Sequence, residues 1–136
     1  MAVLLVEDDV AIRLTLVEHM EDQGLQVFDA ADAEAALSIL QAPPACISVL
    51  VTDLNLGPGD NGLILAAKAR RQIPGLRIIY ATGNPGMLHG RIVRPWERIF
   101  FKPFDAFHLV REVRALDHAL LDLGSAAVEQ DIAGDC

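Results

Sequence analysis

Ala2-Val3-Leu4-Leu5-Val6-Glu7-Asp8-Asp9 is a row of five apolar residues closed by three acids. A continuous apolar run of that length, bounded by a helix cap, reads as a strand buried on both faces. Asp9 then supplies an N-cap for a helix running to about Gln23, and Gly24 supplies its stop. The same unit recurs along the chain. Residues 25–30 read as a second strand, followed by a helix over Ala33–Gln41 that Asp32 caps and Pro43-Pro44 stops. Residues 46–52 form a third, strongly apolar strand, and the Gly-rich stretch 57–62 is a loop. A helix over 63–73 closes at Pro74-Gly75, a fourth strand covers 76–81, and Gly83-Asn84-Pro85-Gly86 is a turn. Residues 87–96 allow a short helix limited by Pro95; a fifth strand covers 99–101, and a last helix runs from Phe104 to about Leu123. Buried strands alternating with helices imply a parallel sheet covered on both faces, a doubly wound α/β domain whose ligands sit at the carboxyl ends of the strands.

The 136 residues suit one domain with its own core. A hydrophobic share of 52% and a charged share of 22% exclude a disordered chain. No apolar stretch approaches the ~18 residues of a membrane span, and the acidic N-terminus excludes a signal peptide. Cys46 and Cys136 make no disulfide framework and read as reduced thiols of a cytoplasmic protein. The net charge of −8 argues against binding DNA or an anionic membrane through the whole surface. Charge is sorted along the chain: Arg13 is the only base in residues 1–67, whereas residues 68–114 carry ten bases and three acids.

The polar residues at the strand ends carry the chemistry. Glu7, Asp8 and Asp9 follow the first strand, Asp53 the third, Thr82 the fourth and Lys102 the fifth. Carboxylates sharing one crevice must bind protons or a cation. Hard oxygen ligands in an open crevice suit Mg²⁺, and Glu7, Asp8 and Asp53 set against Lys102 leave two negative charges for one divalent ion. Asp53 is then a candidate carboxylate nucleophile forming an aspartyl phosphate, with Lys102 and Thr82 placed to neutralise phosphoryl oxygens.

These residues lie in Leu4-Leu5-Val6-Glu7-Asp8-Asp9, Val51-Thr52-Asp53-Leu54-Asn55-Leu56, Ala81-Thr82-Gly83 and Phe101-Lys102-Pro103-Phe104. Over residues 1–119 the chain resembles the receiver domain of bacterial two-component response regulators. The resemblance implies a flavodoxin-like five-stranded parallel sheet of order 2-1-3-4-5 with five helices. It implies a Mg²⁺ site made by Glu7, Asp8, Asp53 and the backbone carbonyl of Asn55, with Asp53 as phosphoacceptor and Thr82 and Lys102 contacting the phosphoryl group. A cis Lys102-Pro103 bond is also implied. Such domains are signalling switches rather than enzymes: they accept a phosphoryl group from a sensor histidine kinase or histidine phosphotransfer protein and dephosphorylate themselves. They engage downstream proteins, or a second copy, through the strand 4–strand 5 face. The sequence departs from the pattern at Ile99, where an aromatic ring is usual. Tyr80-Ala81-Thr82-Gly83-Asn84-Pro85 is similar to the Phe-Ala-Thr-Gly-x-Tyr variant of stand-alone receivers, with Pro85 in place of the final Tyr. The missing ring predicts that coupling runs through residues 83–98.

Residues 1–123 are thus expected to form the receiver and 124–136 a flexible acidic tail, too short for a DNA-binding domain. Output is then through protein binding or a phosphorelay. An unphosphorylated interaction scaffold on the same fold is the alternative. A Mg²⁺-dependent phosphohydrolase ranks third, because no loop is long enough for a substrate cap. Gly57-x-Gly59-x-x-Gly62 matches the dinucleotide fingerprint only formally, since it follows the third strand and no acid stands about twenty residues on. His19, His89, His108 and His118 show no ligand spacing. Phe100, Phe101, Phe104 and Phe107 read as packing residues, and Trp96 as packed or singly exposed. Arg91, Arg94 and Arg98 form a basic strip suited to an acidic partner or an acidic patch of a second copy.

Overall fold

The apolar runs do become the interior of a sheet. The computed structural model describes residues 2–124, with β1 (Ala2–Val6), α1 (Val10–Asp22), β2 (Gln26–Ala30), α2 (Ala33–Gln41), β3 (Ile47–Asp53), α3 (Gly62–Gln72), β4 (Arg77–Thr82), β5 (Glu97–Phe101) and α4 (Ala106–Gly124). All four strand pairings are parallel, in the order β2-β1-β3-β4-β5. Every residue of β1 and β3 is buried.

Alternation along the strands sends side chains to two separate cores. Leu4, Val6, Leu50, Ile78 and Tyr80 pack with α2 and α3 through Ala36, Leu40, Leu65 and Ala69. Val3, Leu5, Val51, Ile79 and Ala81 pack with α1 and α4 through Leu16, Met20, Leu109 and Val113. The helices start where short polar side chains can cap them. Asp9 Oδ1 accepts the Ile12 N–H at 3.0 Å, Asp32 Oδ1 accepts the Ala35 N–H at 2.8 Å, and Asn61 Oδ1 accepts the Ile64 N–H at 2.9 Å. α1 ends as a Schellman turn: Gly24 takes φ +82° and the Leu25 N–H reaches back to the Met20 carbonyl at 3.0 Å.

The register levels the carboxyl ends of four strands. Val6 pairs with Thr52, Asp53 with Ala81, and Thr82 with Phe101. The residues that follow β1 and β5, and those that end β3 and β4, therefore share one rim.

Two expectations need amendment. The described residues hold four α-helices rather than five, with a single 3₁₀ turn (Pro85–Leu88) between β4 and β5. Pro85, Gly86, Gly90 and Pro95 explain the loss: prolines remove donors, glycines favour the coil, and Gly90 adopts φ +75°. Cys46 is not a free thiol, against the reading of two reduced thiols; Cys136 lies outside the described residues. So does the acidic tail beyond Gly124. No described helix is long and apolar enough to cross a membrane.

Candidate functional site

Glu7 stands one residue beyond β1, where its N–H donates to the Ala30 carbonyl at 3.1 Å and prolongs the ladder. That placement buries it to 2% exposure. Glu7 Oε2 accepts the Asp9 N–H at 3.2 Å, so the turn into α1 holds the carboxylate in place. Arg13, one turn into α1, donates to the Glu7 carbonyl at 2.8 Å while its Nε lies 3.1 Å from Asp29 on β2. The solitary base of the acidic half therefore braces the turn that carries Glu7 and Asp8.

Asp53 ends β3 at 7% exposure. Its Oδ1 accepts the Asn55 N–H at 3.1 Å, and the Thr52 hydroxyl donates to its carbonyl at 2.8 Å. Gly62 opens α3 directly above it: a Cβ there would stand 2.2 Å from the Asp53 carbonyl oxygen. Of the Gly-x-Gly-x-x-Gly loop, Gly62 thus serves close packing beside Asp53, while Gly57 and Gly59 take positive φ.

Lys102 follows β5, its N–H donating to the Thr82 carbonyl at 2.7 Å, and the peptide to Pro103 is cis. Its Nζ donates to Glu7 Oε1 at 2.9 Å and to Asp53 Oδ2 at 2.8 Å, joining strands at opposite ends of the chain. Glu7, Asp8 and Asp53 each offer a carboxylate oxygen within 4.8 Å of the others. Burial raises the Glu7 pKa above its ordinary 4.5, and the Lys102 hydrogen bond pulls against that rise only in part. Desolvation works to lower the Lys102 pKa, yet hydrogen bonds to Asp53 and Glu7 outweigh it and raise the value. The three carboxylates make an all-oxygen donor set, left with net negative charge after the one ammonium, of the kind Mg²⁺ takes.

Thr82 lies at the same rim with 0% exposure, but its hydroxyl is occupied differently. Its oxygen accepts the Asn84 N–H at 2.9 Å, and among the described residues no hydrogen bond joins it to Asp53 or Lys102. Asp9 stays outside the cluster as the α1 cap. Asn55 is tied to Asp53 through its N–H.

The basic strip is largely neutralised from within. Arg91 bridges Glu97 at 2.7 Å and Arg98 bridges Glu112 at 3.1 Å, while Arg94 lies 6.0 Å from the Trp96 ring centroid. Trp96 is half-buried against the core with the Arg70 guanidinium 4.0 Å over its ring. The sequence reading passed over Glu97. Its signal was present: it is the only acid between Gly83 and Phe104, set among Arg91, Arg94 and Arg98.

A family model described as the response regulator receiver domain matches residues 3–114. The aerobic respiration control protein ArcA of Escherichia coli (strain K12) is 31% identical over 131 residues, covering 94% of this chain and 53% of that protein. The alginate biosynthesis transcriptional regulatory protein AlgB of Pseudomonas aeruginosa is 38% identical over 82 residues, covering 60% of this chain and 18% of its own length. The chain thus spans about half the length of the first relative and far less of the second. Among solved structures, a response regulator receiver protein from Sinorhizobium medicae WSM419 superposes with TM-score 0.79 at 26% identity, covering 88% of this chain and 96% of that one. The receiver domain of the hybrid histidine kinase CckA superposes with TM-score 0.73 at 27% identity, covering 85% and 98%. A matched family model over most of the chain, the sheet order 2-1-3-4-5 and the acidic rim lead to one conclusion: this chain belongs to the response regulator receiver domain family.

Proposed function

We propose that this chain is a phosphorylation-controlled switch in which Asp53 accepts a phosphoryl group from a sensor histidine kinase or a histidine phosphotransfer protein. The observation that carries the reading is the meeting of Glu7, Asp8 and Asp53 within 4.8 Å, with the Lys102 ammonium bridging Glu7 and Asp53. Glu7, Asp8, Asp53 and the Asn55 carbonyl would hold Mg²⁺. When bound, the ion supplies positive charge against the phosphoryl oxygens.

The remaining work falls to the side chains. Asp53 is ready as a nucleophile because β3 and the Asn55 N–H fix its carboxylate. A lone pair of one of its carboxylate oxygens attacks phosphorus, the bond from phosphorus to the donor imidazole nitrogen breaks, and that nitrogen is left to take a proton. Lys102 already faces the attacking group, so its charge is in place as negative charge shifts to the new acyl phosphate. Thr82 has a hydroxyl hydrogen to offer a phosphoryl oxygen once its side chain turns toward Asp53. Hydrolysis of the acyl phosphate resets the switch.

Output by this reading is protein binding at the β4–β5 face or onward phosphotransfer, with residues 1–123 as the receiver unit and a second copy among the partners. A cytoplasmic place and the absence of DNA binding belong to the same proposal. The test is intact mass after exposure to acetyl phosphate with Mg²⁺. The wild-type chain gains one phosphoryl group, whereas Asp53→Asn and an EDTA-treated sample gain none. Equal gain in Asp53→Asn would move the acceptor elsewhere and sink the reading.

A further inference from the structure

Two departures from the family pattern meet between β4 and β5: Ile99 stands where a ring is usual, and a strap of residues 83–96 carries a 3₁₀ turn instead of a helix. The strap is nonetheless held at both ends. At its start the Thr82 hydroxyl accepts the Asn84 N–H at 2.9 Å, and the Asn84 side chain accepts the Gly86 N–H at 3.2 Å, which sets the turn. The Arg91 N–H then donates to the Leu88 carbonyl at 3.0 Å. At its end everything converges on Glu97, only 2% exposed. Arg91 grips both carboxylate oxygens, at 2.9 and 2.7 Å. The Arg94 N–H donates to Oε1 at 2.9 Å, and the Tyr80 hydroxyl donates to Oε2 at 3.1 Å. Tyr80 lies two residues before Thr82 on β4, on the same face of the sheet. The circuit closes: Thr82, Asn84, the turn, Arg91, Glu97, Tyr80 and back along β4 to Thr82.

We propose that Glu97 is the clasp of this circuit, the fixed end against which a change at Thr82, set by the state of Asp53, re-seats the strap. The inference rests on the reading of Asp53 as phosphoacceptor. A hydroxyl that turns toward a phosphoryl oxygen weakens its hold on the Asn84 N–H, so the turn that Asn84 starts must re-seat. The far end cannot follow freely, because a bidentate guanidinium and a backbone N–H pin it to a buried carboxylate. The change is confined to residues 84–93, where Gly86 and Gly90 give the backbone freedom. Ile92 and Val93, exposed to 78% and 50%, ride on that segment. Without the clasp the strap fluctuates in both states and the difference between them disappears.

The test is hydrogen exchange of residues 84–96 in the full chain before and after acetyl phosphate with Mg²⁺, with intact mass read on the same samples. Wild type, Glu97→Gln and Tyr80→Phe are compared, the last keeping its ring in the core. Wild type gains one phosphoryl group and strap exchange changes at least about threefold. Unmodified Glu97→Gln exchanges at least about tenfold faster in the strap, while Asp53 still takes the phosphoryl group and the difference between states shrinks below about twofold. Tyr80→Phe falls between. Variants that gain the group and show the wild-type strap difference overturn the clasp alone. A wild-type chain that gains no mass overturns the phosphoacceptor reading and the coupling with it, and the mass trace separates the two failures.

Discussion

Replacing Lys102 with methionine should tighten Mg²⁺ binding even as it impairs phosphoryl acceptance. The ammonium lies 2.9 Å from Glu7 and 2.8 Å from Asp53, occupying an oxygen of each carboxylate that a cation would also use. Its side chain is 22% exposed, so the interaction is weaker than in a dry interior. Two unit charges about 4 Å apart interact by about 1 kcal/mol in water and about 4 kcal/mol at an effective dielectric of 20. For a divalent ion the low end doubles to about 2 kcal/mol of relieved repulsion, which is roughly thirtyfold in Kd. Calorimetric titration of Mg²⁺ into wild type and Lys102→Met reads this directly, and methionine keeps most of the buried stem. Unchanged or weaker Mg²⁺ affinity in the variant would show that the ammonium and the cation do not compete, and the charge argument would fail. Slower mass gain from acetyl phosphate in the same variant is the second half of the expectation.

Other perturbations test the frame around the site. Arg91→Ala should cost about 2–3 kcal/mol in urea unfolding at pH 7, at or just below the roughly 3–5 kcal/mol of a broken buried pair because the Arg91 side chain is 31% exposed. That cost should shrink on acidification. Burial alone would raise the Glu97 pKa, but the Arg91 hydrogen bonds with the Arg94 N–H bring it below 4.5. Glu97 therefore stabilises the fold above the ordinary carboxylate range and loses that contribution as pH falls through its lowered value. Without Arg91 its pKa rises, the buried group takes up a proton sooner, and wild type and variant converge at low pH; a pH-independent cost would contradict the pairing. Gly62→Ala should lower stability by about 3 kcal/mol or more, since its Cβ would meet the Asp53 carbonyl oxygen at 2.2 Å. Gly75→Ala, with nothing within 4 Å, should stay within about 0.5 kcal/mol in the same urea unfolding assay.

The sheet was legible because β1 and β3 carry nothing but buried side chains through five and seven residues, a pattern with few competing explanations. The caps Asp9 and Asp32 were legible because a short polar residue before a helical period has one common use. β5 was harder: it begins at Glu97, two residues before the apolar run, because a buried acid among arginines does not register as strand interior. The described residues between β4 and β5 lack an α-helix for a related reason. Residues 85–95 contain helix-compatible residues and four breakers, and the segment is anchored on Glu97 through Arg91 and the Arg94 N–H instead. The acidic rim followed from strand order once the sheet was known, since each of its members abuts a strand end. The hold of Thr82 on Asn84, and the internal pairing of Arg91 and Arg98, depend on geometry that spacing alone does not encode.

The outer margin of β5 raises a different matter. The Trp96 carbonyl accepts the Ile78 N–H at 2.9 Å, so the next carbonyl, that of Glu97, points away from β4 toward open solvent. Arg98 folds over that margin, donating to the Glu97 carbonyl at 2.8 Å and to the Pro95 carbonyl at 3.2 Å. A terminal strand with bare acceptors is a template on which another polypeptide can add itself as a further strand. Here a cationic side chain caps those acceptors and sets a charge where a foreign strand would have to lie. Arg98 thus obstructs the addition of a further strand at this edge of the sheet.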